Sequence, residues 1–227
     1  MNLKNKIIVI TGSTKGLGRA LASAFLNEQA RVVINTRSKK ELQKASKEIG
    51  TIGYPGDVTE EKDMKKLADF SIKKFGRIDV WINNAGVNMA HSPIEKIDSK
   101  QAHKVVEVNF FGTFYGSRSV MKYMKRQKYG TILNIISTRS LIPNPLSAVY
   151  SSSKWAVRGF TEALRMVLGP ENISVIAVYP AGMKTNFFGK VKPAGYKNYM
   201  EPSYVAQKII QNLKLQKPKE EMIIKKK

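Results

Sequence analysis

The sequence contains no cysteine and only two histidines, His91 and His103. Disulfides, iron–sulfur clusters and thiol nucleophiles are therefore excluded, and a zinc site lacks its usual ligands, so no metal is expected. Long hydrophobic runs are missing too. Nothing approaches the ~18–20 apolar residues that a membrane span needs, and Met1-Asn2-Leu3-Lys4 leads into Ile7–Ile10 with no secretory signal between them. The expectation is a soluble, cytoplasmic protein. Acidic residues are scarce, 17 against 39 basic ones, for a formal charge of +22. Clustered cations capture nucleic acid in some proteins. Here lysine outnumbers arginine and recurs in pairs such as Lys39-Lys40, Lys65-Lys66 and Lys73-Lys74, whereas recognition surfaces favour arginine forks and interleaved aromatics. Solvated helix faces are the simpler account. Nucleic acid is not expected as a primary partner, although the charge should draw in an anionic cofactor.

Short apolar runs alternate with longer amphipathic stretches. The runs Ile7–Thr11, Arg31–Asn35, Thr51–Pro55, Val80–Asn83, Thr131–Ile136, Ser174–Tyr179 and Met222–Ile224 read as strands. Helical periodicity falls near 17–28, 38–49, 60–75, 99–126, 149–168 and 202–215. Several strands are apolar without alternation, the pattern of a sheet covered on both faces. The order predicts an α/β fold with a doubly wound parallel sheet and right-handed crossovers. No repeat or Pro/Gly-rich hinge divides the chain, so one domain over residues 1–227 is expected. The least regular stretch, with Gly189, Pro193 and Gly195, reads as a lid loop over about 186–202.

After the first strand come Thr11-Gly12-Ser13-Thr14-Lys15-Gly16-Leu17-Gly18 and then a helix. Glycines permit a tight turn and close backbone approach, and a helix N-terminus offers free N–H groups to a pyrophosphate. Three glycines can also mark an ordinary strand-to-helix turn. NAD sites usually carry an Asp or Glu about 20 residues further on, bonded to the ribose 2′-hydroxyl. This sequence has Asn35-Thr36-Arg37-Ser38 there, with no acid. Arg37 and Lys15 could pair with a 2′-phosphate, or could be surface cations; the missing carboxylate favours NADP(H).

Tyr150 and Lys154 lie four apart at the start of an amphipathic stretch, and so share a helix face. An ammonium beside a phenol favours the phenolate, which predicts a lowered tyrosine pKa and general acid/base duty. Most such pairs are merely a core tyrosine beside a solvated lysine. Here Ser137 follows a strand thirteen residues earlier, and Asn83-Asn84-Ala85-Gly86 follows another. Ligands of open α/β sheets gather at such strand ends.

Together these residues resemble the short-chain dehydrogenase/reductase family in its single-domain Tyr-x-x-x-Lys form. The likeness runs from about residue 5 to 186 and adds Asp57-Val58, Asn109, Pro180 and Thr185. It implies a Rossmann-like seven-stranded sheet and hydride transfer between nicotinamide and a carbonyl or secondary alcohol, with carbonyl reduction favoured. Tyr150 would be the acid/base, Ser137 would hold the carbonyl oxygen, Lys154 would hold the ribose, and Asn109 would anchor a water chain. The glycine-rich loop, Gly12 to Gly18, would cradle the cofactor. Asp57 and Val58 would meet the adenine, Asn84, Ala85 and Gly86 the adenosine ribose, and Pro180, Met183 and Thr185 the nicotinamide end. The family's Pro-Gly pair is Pro180-Ala181 here, and the chain stops soon after the last strand; relatives use that tail in tetramers. A homodimer is expected, from apolar stripes at Val105, Val106, Val108, Phe114, Met121 and Met124, with a tetramer as the alternative assembly. A non-catalytic NADP-binding sensor on the same fold is the alternative. Pocket candidates are Met89, His91, Arg139 to Leu146, Phe187, Phe188 and Tyr196.

Overall fold

The computed structural model describes residues 1–89, 91–188, 192–193 and 195–226. Gly189, within the expected lid, and the final Lys227 lie outside the described residues. Seven parallel strands form one sheet in the order β3-β2-β1-β4-β5-β6-β7. They are β1 (Ile7–Ile10), β2 (Arg31–Thr36), β3 (Ile52–Pro55), β4 (Val80–Asn83), β5 (Gly130–Ile135), β6 (Ile173–Pro180) and β7 (Glu221–Ile224). The helices are α1 (Gly16–Asn27), α2 (Lys39–Ile49), α3 (Glu61–Phe75), α4 (Ser99–Val106), α5 (Gly112–Gln127), α6 (Ala148–Leu168) and α7 (Pro202–Lys214).

The apolar strands need cover on both sides because their side chains alternate between faces. Ile8 and Ile10 of β1, with Val80 and Ile82 of β4, pack under α1, α2 and α7. Val9 and Trp81 point the other way, into the core formed with α3, α5 and α6. The sheet is therefore sandwiched, as the uninterrupted apolar runs require.

The stretch expected as one helix over 99–126 is two, joined by a wide π turn at Glu107–Phe111. Much of its apolar stripe is used internally. Val105 and Met124 are buried, and Val108 and Met121 pack against the core. Only Val106 and Phe114 of the six expected interface positions stay partly exposed outside these clusters. That corrects the expectation of a stripe wider than the fold needs.

β1 and β4 are neighbours although α1, β2, α2, β3 and α3 separate them in sequence. Chain direction across the sheet reverses between them, and in such sheets the crevice opens there, at the carboxyl ends.

Candidate active site

A cleft of about 1670 Å³ opens along those carboxyl ends. Every expected catalytic and cofactor-binding residue lines it except Ser13 and Asn109. Of the pocket candidates, Met89, His91, Arg139, Leu141, Ile142, Phe187 and Phe188 line it, while Ser140, Pro143 to Leu146 and Tyr196 do not. Ser13 is buried, its hydroxyl donating to the Ile10 carbonyl at 2.6 Å and accepting from Asn35 N at 2.8 Å. It shapes the glycine-rich turn from inside rather than facing a ligand.

That turn leaves room for a nucleotide because side chains are absent. A Cβ on Gly12 would come 2.8 Å from Ala85 Cα, and Gly12 also has φ +60°. One on Gly18 would come 2.5 Å from both the Gly12 carbonyl and Asn84 Nδ2. Lys15 caps α1 in an extended conformation with no side-chain hydrogen bond, so the first-turn amides keep their donors free of a side-chain acceptor. This suits a pyrophosphate. Thr11 Oγ1 accepts from the amides of Asn84 and Ala85 at 3.0 and 3.1 Å, which ties the two strand ends together. Asn35 does the same beside β3, donating to the carbonyls of Tyr54 and Gly56. Thr11 and Asn35 were missed as site residues; a threonine and an asparagine at strand ends carry no sequence signal of their own.

At the outer end, Arg37 is exposed and only loosely paired with Asp57, at 3.9 Å. One Asp57 oxygen accepts from the amide and hydroxyl of Thr59, at 3.0 and 2.9 Å. Glu41, in the first turn of α2, also lines this end.

At the inner end, Tyr150 and Lys154 sit in the first turns of α6, both buried. Tyr150 packs with Met89 and Val105, and the Phe187 ring meets it edge-on at 5.8 Å. Burial pushes its phenol up to about 12, opposed incompletely by the Ser137 hydroxyl and the Arg139 charge. The Lys154 ammonium donates to the Ile135 carbonyl at 3.0 Å, and burial lowers it to about 8. The expectation that Lys154 depresses the phenol pKa is therefore reversed here. Desolvation dominates, and the ammonium is spent on a carbonyl rather than on the tyrosine. Ser137 Oγ accepts from Arg139 N at 3.1 Å, which leaves the hydroxyl proton for an oxygen in the cleft.

Asn109 lies in the π turn with its amide fully engaged. Oδ1 accepts from Val87 N at 2.8 Å, and Nδ2 donates to the Val87 carbonyl and Ser153 Oγ, each at 3.0 Å. Its backbone carbonyl accepts from Thr113 Oγ1 at 2.8 Å. It clamps the strand following β4 against α6, so it positions other residues and does not touch the cleft itself. A second buried chain, Trp81–Asn83–Asn134–Thr161, links β4 and β5 to α6, further along that helix from Tyr150.

The lid's two ends are pinned by backbone pairing of Met183 with Met200. Phe187, Phe188, Tyr196 and Tyr199 form a contiguous aromatic stack above it. Ala181, in the place of the family glycine, donates its amide to the Ile224 carbonyl at 2.9 Å.

The match to the short chain dehydrogenase family covers residues 6–194, and the chain belongs to the short-chain dehydrogenase/reductase family. It is accordingly an oxidoreductase acting on CH–OH and C=O groups with a nicotinamide cofactor. Among its relatives, an uncharacterized oxidoreductase of Staphylococcus saprophyticus is 32% identical, covering 98% of this chain and 94% of that one. The 3beta-hydroxysteroid dehydrogenase 1 of Eggerthella lenta is 35% identical over 81% of this chain and 73% of its own length. Glucose 1-dehydrogenase 2 of Bacillus subtilis is 31% identical, over 81% and 74%. The crystal structure of 3-ketoacyl-(acyl-carrier-protein) reductase from Brucella melitensis, complexed with NADH, superposes with a TM-score of 0.89 at 25% identity, covering 98% and 97%.

Proposed function

We propose that this chain is an NADP-dependent carbonyl reductase with Tyr150 as general acid. The observation that carries the direction is the burial of Tyr150. Burial, which raises the phenol to about 12, makes the phenolate that alcohol oxidation needs harder to form, and so supports the role of proton donor to a forming alkoxide. A bound nicotinamide supplies the hydride. Ser137 holds the carbonyl oxygen beside the phenol, and Lys154 holds the nicotinamide ribose. Asn109 keeps α6 in register through Ser153. The α1 amides and the glycine-rich turn hold the pyrophosphate, Asn84 to Gly86 line the adenosine ribose, Asp57 and Val58 meet the adenine, and Pro180, Met183 and Thr185 face the nicotinamide. Closure of the aromatic lid excludes water from the reacting carbonyl.

NADP is favoured because no carboxylate follows β2 directly, while Arg37 is exposed and Lys15 also lines the cleft. Among the described residues no helix is long and apolar enough to cross a membrane. With no cysteine in the chain, that suits a reducing, cytoplasmic setting. A homodimer through α5 and α6 is proposed on the partly exposed aromatics Phe110, Phe114 and Phe160, which lie ring to ring at 5.8–6.2 Å.

The test follows NADPH and NADH absorbance at pH 7 over a panel of carbonyl compounds, ketones such as a 3-oxosteroid together with the lactone gluconolactone. NADPH-dependent reduction of at least one ketone is expected. A chain that binds NADPH but reduces no carbonyl overturns the reductase reading. Light scattering at micromolar concentration reports the dimer.

A further inference from the structure

The cleft is unevenly charged. Its two lining carboxylates among the described residues, Glu41 and Asp57, follow β2 and β3 at one edge of the sheet. At the other end, where Arg139 follows β5, Lys184 follows β6 and Lys225 follows β7, the lining holds cations and no carboxylate among the described residues. These cations are not equivalent. Lys184 is paired with Glu201 at 2.8 Å, and the Lys192 ammonium donates to the Thr185 carbonyl. The Arg139 guanidinium has neither an acidic partner nor a hydrogen-bond acceptor among the described residues, although the residue is half-buried. Its backbone amide is fastened to Ser137 Oγ at 3.1 Å, two residues along the chain. Its charge also reaches the Tyr150 phenol, whose ionisation it favours. A half-buried arginine two residues beyond Ser137, whose guanidinium has no partner among the described residues, leaves its charge free to answer an anion in the cleft. A planar fork suits a carboxylate in two-point contact.

We propose that Arg139 is a specificity-determining residue that binds the carboxylate of an oxo acid whose carbonyl sits between Ser137 and Tyr150. This rests on the carbonyl-reductase reading. The carbonyl carbon gains a hydride from reduced nicotinamide, and its oxygen gains a proton from Tyr150. The C=O π bond is replaced by C–H and O–H bonds, so the oxo acid becomes a hydroxy acid and the nicotinamide is oxidised.

The experiment compares kcat/KM for 2-oxobutanoate and 4-oxopentanoate with their methyl esters, with NADPH, in the parent, Arg139→Gln and Arg139→Lys. The acid-to-ester ratio is the readout, because intrinsic electrophilicity cancels between parent and variant. For at least one acid the ratio should fall at least tenfold in Arg139→Gln and by less in Arg139→Lys. Propanoate should inhibit ester reduction by the parent competitively, and propanamide should not; this arm needs no variant to fold. A ratio within threefold of the parent in Arg139→Gln, or equal inhibition by acid and amide, overturns the role of Arg139 alone and leaves the reductase reading standing. No turnover of any acid or ester by a chain that reduces another ketone of the panel overturns the oxo-acid proposal alone; no turnover on the panel either, by a chain that still binds NADPH, overturns both.

Discussion

On the β1–β3 side of the cleft the floor is backbone and short side chains held by buried hydrogen bonds, from Thr11, Ser13 and Asn35, with Lys15, Arg37 and Glu41 also in the lining. On the β5–β7 side the walls are long or aromatic side chains carried on connections, Arg139, Phe187 and Tyr199 among them. The floor has little freedom to change shape, since even a methyl on Gly18 meets backbone. The walls can be redrawn without disturbing the sheet. A nucleotide is the same ligand in every turnover of a family, and a rigid floor serves it. Substrates differ between relatives, as glucose and hydroxysteroid dehydrogenases at similar identity illustrate, and loop-borne side chains absorb that difference.

The comparison can be broken most forcefully at Tyr150. Tyr150→Phe keeps the ring against Met89 and Phe187 and removes only the hydroxyl, so NADPH affinity should hold while turnover falls by about 10²–10⁴. Parent-like turnover would make the tyrosine a packing residue. In the parent, alcohol oxidation needs the phenolate and should still be climbing at pH 10, because burial raises the phenol to about 12; a plateau near pH 8 would show that bound cofactor reverses that burial effect.

Lys154→Met separates stability from function. The buried ammonium is lowered from 10.5 to about 8, so below pH 8 the folded chain carries a charge that burial penalises. Methionine should therefore stabilise the fold at pH 7, by about 2–3 kcal/mol after the lost bond to Ile135 is allowed for. The gain should shrink between pH 8 and 10.5, where the parent sheds its proton on folding. Thermal melts of both proteins at pH 7 and 10 measure it, and NADPH binding and turnover should fall together in the variant.

Gly18→Ala tests the rigid floor. Relief of the overlap requires backbone movement, at about 1–3 kcal/mol, and should weaken NADPH binding roughly in proportion, by titration of nucleotide fluorescence. The smallest effect lies at the outer lip. NADPH should bind at least about tenfold more tightly than NADH, near 1.4 kcal/mol, and Arg37→Asp should reverse the order. Equal affinities in the parent would remove the 2′-phosphate argument.

The strands were legible because residues such as Ile8, Val9 and Ile10 are apolar on both faces, which few other settings permit. Tyr150 and Lys154 were legible in company: a spacing of four puts them on one helix face, and Ser137 and Asn83 to Gly86 at strand ends mark that face as a site. The inward turn of Ser13 was not, since a serine in a glycine-rich loop reads equally as ligand or as brace until the chain closes around it. The direction of the Tyr150 shift was hidden for a related reason. Proximity to Lys154 can be read from spacing, but the desolvation that outweighs it depends on Met89, Val105 and Phe187 arriving from distant parts of the chain.

The π turn at Glu107–Phe111 gives the segment from 99 to 127 two facings in place of one. Val105, before the turn, looks toward Tyr150, while Val120 and Met124, after it, look into the sheet beside Trp81. A regular helix turns about 100° per residue, so one residue added to a single turn shifts the phase of everything beyond it. Deleting one residue within 107–111 would restore an even helix and set its two ends out of step, so that either Val105 leaves the tyrosine or Met124 leaves the core. A substitution in this turn, Asn109 apart, touches one side chain; a change of length there rotates everything beyond it.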